Sequence, residues 1–263
     1  MKKSKVQANL WGKSANGWAE IQERQHKPLW EAMLNTTSVG KGTTLLDAGC
    51  GAGWSSALAN EQGAAVHGID IAEELLFFAK QHVPNGKFQV ADIQVLPFED
   101  DMFDVVFAAN SLQYSEDRIA TLQEFKRVCK PNGQIIVGLF GAPEKVDMSV
   151  IFKAISDAMP ENSKGEGGGP FELSLPGKLE GLFTEAGLTN IKSYEVNCPF
   201  EYSNFESFWY GNASAGPFQG ILNIISETKL KSVVREAVTD FILDDGRIQL
   251  QENIFKYVLA DIN

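Results

Sequence analysis

The run Leu45-Leu46-Asp47-Ala48-Gly49-Cys50-Gly51-Ala52-Gly53-Trp54 contains the residues best spaced to do chemistry. An apolar stretch ends in an acid, three glycines alternate behind it, and a helix-forming segment follows from Ser55 to Gln62. Strand, glycine turn and helix in that order let a backbone approach a nucleotide-like ligand with no Cβ in the way. The pattern departs from a dinucleotide site. The G-x-G-x-x-G fingerprint requires glycine where Trp54 stands, and Asp47 sets a carboxylate where a pyrophosphate would be repelled. An acid at a strand tip suits a ligand that carries positive charge. The next apolar run, Ala65 to Ile69, closes on Asp70, about twenty residues after the glycines, the offset at which a carboxylate takes ribose hydroxyls.

These residues resemble motif I of the class I S-adenosylmethionine-dependent methyltransferases, and four motifs in order extend the resemblance over residues 8–140. Phe88-Gln89-Val90-Ala91-Asp92-Ile93 resembles the third strand, and Leu96-Pro97-Phe98 with Phe103-Asp104-Val105-Val106-Phe107 the approach to the fourth. Asn110-Ser111-Leu112-Gln113-Tyr114 resembles the loop beneath the transferred methyl group, and Pro131-Asn132-Gly133 the turn before strand five. Closest in appearance is the ubiquinone/menaquinone-type small-molecule group. The resemblance implies S-adenosyl-L-methionine as donor, S-adenosyl-L-homocysteine as product, and a small or medium organic acceptor. It implies that Asp47, Ala48, Gly49, Cys50 and Gly51 lie beside the methionine end, and Asp70 and Ile71 at the ribose. Asp92 falls at the adenine amino group with Ala91 and Ile93 around the ring, while Asn110, Ser111 and Gln113 line the methyl end.

Methyl transfer from a sulfonium asks for alignment and dryness more than for a catalytic triad. Proximity alone is worth on the order of 7–11 kcal/mol in favourable systems, against roughly 10²–10⁴-fold for a general base. Tyr114, Gln113 and His26 are the candidates for such a base or proton donor. Phe140, Phe208 and Trp209 are candidates for the acceptor wall, the last two from the dense run Phe200, Tyr202, Phe205, Phe208, Trp209, Tyr210. That run reads equally as packing against the core. Trp11 and Trp18, seven apart, read either as core packing or as a cover over the donor. Cys50 fits the turn as a small residue, and His67 and His82 read as structural.

The elements that must position these groups follow from periodicity. Residues 16–35 predict one helix with Trp18, Ile21, Leu29 and Met33 near one stripe. Strand and helix then alternate to Gln134–Phe140, the mark of βαβ units and a parallel sheet. Residues 147–159 predict an amphipathic helix presenting Val150, Ile151, Ala154, Ile155 and Ala158. Gly165 to Pro170 reads as a loop or hinge, Pro176–Ala186 as a helix with proline in its first turn, and Thr189–Cys198 as a strand. Residues 217–243 read as two helices and Ile248–Ile262 as the final strand. The expected fold is α/β: a Rossmann-like open sheet of seven strands, parallel except for an antiparallel last strand, with helices on both faces and helical lid insertions. The chain divides into an N-terminal helical cap (1–42), a donor-binding core (43–140) and the remainder of the core (141–263), with lids at 141–175 and 199–247.

Composition narrows the partners. The chain has 23 Lys and Arg against 34 Asp and Glu, a net charge of −11. Nucleic acid is bound through Lys and Arg clusters, and no such stripe occurs, so no nucleic-acid substrate is expected. Asn110 is followed by Ser-Leu rather than the Pro-Pro of amino-methylating nucleic-acid enzymes, and Cys198-Pro199 reverses the Pro-Cys of cytosine C5 enzymes. Cys50, Cys129 and Cys198 make neither a disulfide framework nor a zinc pattern, and no acidic triad marks a metal site. No apolar run reaches the length of a membrane span, and no secretory signal follows Met1, so a cytoplasmic protein is expected. Two alternatives stay open: an NAD(P)-dependent reductase, disfavoured by Trp54 and Asp47, and an S-adenosylmethionine-binding protein without catalysis. The sequence leaves the acceptor atom and the oligomeric state open.

Overall fold

Leu45-Leu46, Val105-Val106-Phe107 and Ile135-Ile136-Val137 are apolar runs without alternation, the pattern of strands covered on both faces. The computed structural model, which describes residues 3–163 and 169–262, builds them into the centre of a seven-stranded sheet. Its strands are β1 (Thr44–Ala48), β2 (Ala65–Asp70), β3 (Lys87–Val90), β4 (Phe103–Ala109), β5 (Cys129–Phe140), β6 (Thr189–Asn197) and β9 (Ile254–Asp261), in the order β3-β2-β1-β4-β5-β9-β6. The pairs β3–β2, β2–β1, β1–β4 and β4–β5 are parallel. β9 runs antiparallel to both its neighbours.

Successive residues divide between two cores. Leu45, Val105, Phe107 and Ile136 join one, with Leu29 and Met33 of α3 (Lys27–Thr36); Leu46, Val106, Ile135 and Val137 join the other, with Leu122 and Phe125 of α6 (Arg118–Val128). The connections after β1 and β4 leave towards opposite sides, so a crevice opens between these two strands at their carboxyl ends. That is where open α/β sheets bind ligands. The helices α4 (Trp54–Glu61) and α5 (Glu73–His82) follow β1 and β2.

Four expectations change in detail. The helix over 16–35 is broken into α2 (Ala15–Gly17), a wide π turn (Trp18–Gln22), a tight turn (Glu23–His26) and α3. Pro28, in the first turn of α3, has no N–H to continue an incoming ladder, and the π turn rotates the residues after it. The final strand begins at Ile254. Ile248–Leu250 (β8) instead pairs with Phe200–Tyr202 (β7) as a separate ribbon. The break comes at fully buried Asn253, whose backbone N–H bonds Asn197 Oδ1 while its own Oδ1 accepts from the Met148 N–H. In α7 (Met148–Ala158) the buried residues are Met148, Ile151 and Ile155, and Val150 faces solvent. α8 (Lys178–Glu185) starts behind a left-handed Gly177, so Pro176 precedes the helix. The helices of 199–247 are α9 (Phe205–Ala213), α10 (Gly216–Leu222) and α11 (Glu227–Ala237), and α7 packs on α11. Most of the predicted 165–170 loop lies outside the described residues.

Candidate active site

The glycine turn follows β1 because the chain must reverse there in a left-handed conformation. Gly49 and Gly51 have φ of +85° and +53°, values a side chain resists. A Cβ on Gly49 would sit 2.4 Å from Ser111 Cβ, and one on Gly51 would sit 2.8 Å from a Glu23 carboxylate oxygen. The turn is pinned from three sides. The Gly49 and Cys50 N–H groups donate to the Ile69 carbonyl (2.8 and 2.9 Å), and Gly51 N–H donates to Asp70 Oδ2 at 2.9 Å. Ala52 and Trp54 N–H donate to the two oxygens of Glu23 at 2.7 and 3.3 Å. His82 supports it from behind, with Nδ1 2.8 Å from the Ala52 carbonyl.

Asp47, Ala48 and Gln113 stand outside the crevice wall. Asp47 is buried and its Oδ2 accepts from Ser55 and Ser56 at 2.6 and 2.7 Å, so it braces the start of α4. Burial raises its pKa to about 6, and Asp70 adds to the rise, against the two serine bonds. Its Oδ1 is buried without a hydrogen-bond partner.

The crevice itself is lined by Gly49, Cys50, Gly51, Asp70, Ile71, Ala91, Asp92, Ile93, Asn110 and Ser111, the expected residues at the ends of four strands. Asp70 also accepts from the Ala72 N–H, and burial raises its pKa against these bonds. Asp92 accepts from the Gln94 backbone N–H at 3.0 Å, which turns the chain after β3. Asn110 is held at φ +55°, and its Oδ1 is buried without a partner. Ser111 bonds the Ala48 carbonyl at 2.6 Å and so ties the β1 and β4 ends together.

The opposite wall comes from the N-terminal segment. Ser4, Gln7 and Trp11 of α1 (Lys3–Gly12), Trp18, Glu23, His26 and Trp30 all face the crevice. Trp11 meets Trp18 edge-on at 4.7 Å and Tyr114 at 5.6 Å, and His26 lies 5.9 Å from Trp18. His26 Nδ1 is 3.0 Å from the Glu23 carbonyl; a carbonyl only accepts, so Nδ1 carries the proton and Nε2 is the basic nitrogen. Burial lowers the His26 pKa to about 4, which keeps the ring neutral. Burial raises the Tyr114 phenol, so its hydroxyl is a donor at neutral pH. Among the described residues lining the crevice there is no Lys or Arg. Several carboxylates without a counter-cation make a site suited to a ligand that brings positive charge and hydrogen-bond donors.

Phe140, Phe208 and Trp209 do not line this crevice. Phe208 is fully buried and Trp209 nearly so, and Phe140 stacks on Phe255 at 4.5 Å. Of the run of six aromatics, only Tyr210 is exposed. Glu23 is the functional candidate that sequence reasoning missed. No spacing marks it, because it reaches the glycine turn only through the π turn.

Residues 46–137 match a family described as "Methyltransferase domain". The chain is 32% identical over 191 residues to a demethylmenaquinone methyltransferase of Bacillus subtilis, covering 65% of this chain and 82% of that one. It is 28% identical over 155 residues to a malonyl-[acyl-carrier protein] O-methyltransferase of Erwinia pyrifoliae, 59% of each chain. Among solved structures, the YcgJ protein of Bacillus subtilis shares the fold with a TM-score of 0.59 at 19% identity, over 89% of this chain and 98% of that one. A Haemonchus contortus phospholethanolamine N-methyltransferase 2, solved with S-adenosylhomocysteine, does so with a TM-score of 0.56 at 18% identity, over 89% and 52%.

Proposed function

The chain belongs to the class I S-adenosylmethionine-dependent methyltransferases, and from that premise we propose that the crevice at the β1–β4 switch binds the donor and presents it to a flat, uncharged organic acceptor. The observation that carries this reading is the lining: Glu23, Asp70 and Asp92 face one crevice whose described walls hold no Lys or Arg. When bound, the donor supplies an electrophilic methyl on a positively charged sulfur. Asp70 would take the ribose hydroxyls and Asp92 the adenine amino group, with Ile71, Ala91 and Ile93 against the ring. Gly49 and Gly51 allow the backbone of the turn to meet the methionine end. The buried, unpaired Asn110 Oδ1 fits a donor such as the ammonium.

The acceptor would enter at the aromatic end, where Trp11, Trp18, Trp30 and Tyr114 exclude water. That wall favours a planar ring over a phosphate or carboxylate. The relatives named for demethylmenaquinone support an acceptor of this kind. His26, neutral and with Nε2 free of its proton, is placed to remove a proton from a hydroxyl acceptor, and Tyr114 to donate a hydrogen bond to it. The lining and the net charge both argue against a nucleic-acid acceptor. Among the described residues no helix is long and apolar enough to cross a membrane. The three cysteines are free thiols, which fits a reducing compartment and so the cytoplasm.

Titration calorimetry with S-adenosylmethionine and with NADH tests the donor; binding of NADH alone would overturn this reading. Turnover of a phenol or hydroquinone panel tests the acceptor. Donor binding with no turnover on that panel would favour the non-catalytic alternative.

A further inference from the structure

The resemblance gives Glu23 no role, and the donor reading gives it no atom to hold, yet it sits at the join of the two walls. Its side chain is buried and faces the crevice, and its two oxygens accept from the Ala52 N–H in the glycine turn and the Trp54 N–H at the start of α4. Gly51 lies directly against the carboxylate, with no room for a methyl between them. The titratable groups facing it are Asp47 from β1, Cys50 from the turn, Asp70 from β2 and His26 from its own segment. None of them is a cation. Arg24, next in the chain, lies over the Trp54 ring at 4.9 Å. Two N–H groups and the positive end of a helix favour the ionised form, but burial and the two neighbouring acids outweigh them.

We propose that Glu23 is the residue through which this site distinguishes the sulfonium donor from its thioether product. The inference rests on the donor-site reading above. S-adenosylmethionine carries one more positive charge than S-adenosylhomocysteine, and a buried carboxylate without a resident counter-cation responds to that difference more than any hydroxyl or amide in the lining. In the ligand-free protein burial raises its pKa to about 8, so near neutrality it holds a proton. A cation entering the crevice drives that proton off and gains an ionic partner. After methyl transfer the charge is gone, the carboxyl takes a proton back, and the product is held less tightly than the donor.

Calorimetry on the wild-type chain and on Glu23→Gln, at pH 7 in buffers of different ionisation enthalpy, tests this. In the wild type, S-adenosylmethionine should bind with release of most of one proton and S-adenosylhomocysteine with release of little. Glu23→Gln should abolish that release and weaken the donor about tenfold or more, with the product changed less than about threefold. Equal weakening of both ligands would mean that Glu23 only pins the turn, and would overturn the proposal. So would wild-type donor binding without proton release, a measurement that needs no variant to fold. A wild type that bound neither nucleoside would overturn the donor-site reading itself, and this proposal with it.

Discussion

Asp70 and Glu23 hold the same glycine turn, one through Gly51 and the other through Ala52 and Trp54, but their substitution should read differently. Asp70→Ala removes the acceptor proposed for ribose, a group shared by donor and product. It should weaken both by about 1.5–3 kcal/mol, the worth of a hydrogen bond to a charged group; unchanged affinity in calorimetry would remove the ribose role. His26 faces the crevice from the opposite wall, beside Trp18 and Trp30. With a pKa lowered to about 4 the ring is a weak base, so His26→Gln should lower turnover of a hydroxyl acceptor by no more than roughly 10²-fold, the low end for a general base, and leave donor affinity unchanged. A wild-type rate would show that the acceptor needs no base here. Cys50 sits in the turn, and its thiol is pushed well up by burial and by Asp47, Asp70 and Glu23, which favours the protonated form.

At the scale of elements, α9 is a core helix. Phe205 and Phe208 stack at 6.2 Å, Tyr202 meets Phe208 at 4.8 Å, and Tyr202 Oη donates to Gln22 in the π turn at 2.8 Å. The aromatic run therefore acts on the site indirectly, by backing the segment that carries Trp18 and Glu23. Phe208→Ala should cost about 3–5 kcal/mol of stability, seen as a lowered melting temperature, with KM for the acceptor little changed. A raised KM without loss of stability would return Phe208 to the acceptor wall. The π turn is the element the helical pattern concealed. Its apolar residues fit an ordinary helix as well as the wider one, and Pro28 shows only that some break must occur before α3.

Across the whole molecule the buried groups give stability a definite pH dependence. The Glu23 pKa rises from 4.5 to about 8 in the fold, so between those values the folded chain keeps a proton that the unfolded chain has released, and stability falls as pH rises. Asp47 acts with the same sign from 3.8 to about 6. His26 acts with the opposite sign, its pKa falling from 6.5 to about 4, so stability is lost as pH drops through that window. Above pH 6.5 Glu23 prevails, and Asp70 is shifted in the same direction. The melting temperature of the ligand-free protein should therefore fall from pH 6.5 to 8, and Glu23→Gln or saturating S-adenosylmethionine should flatten the fall. A wild-type melting temperature that does not change over that range would contradict the assignment.

Strand ends and turn chemistry were legible in the residues alone. Asp47, Gly49, Gly51, Asp70 and Asp92 are local signals, because a parallel strand must end in a turn and the turn's backbone needs particular residue types. Those signals carried the sheet, the donor class and most of one crevice wall. The other wall was decided by packing between distant segments. Trp11, Trp18, Glu23 and His26 face the crevice from the N-terminal segment, and Glu23 reaches the glycine turn through the π turn, while Phe208 and Trp209 are claimed by the core that supports it. A carboxylate's neighbours, and with them its charge, belong to the folded arrangement and to no stretch of chain.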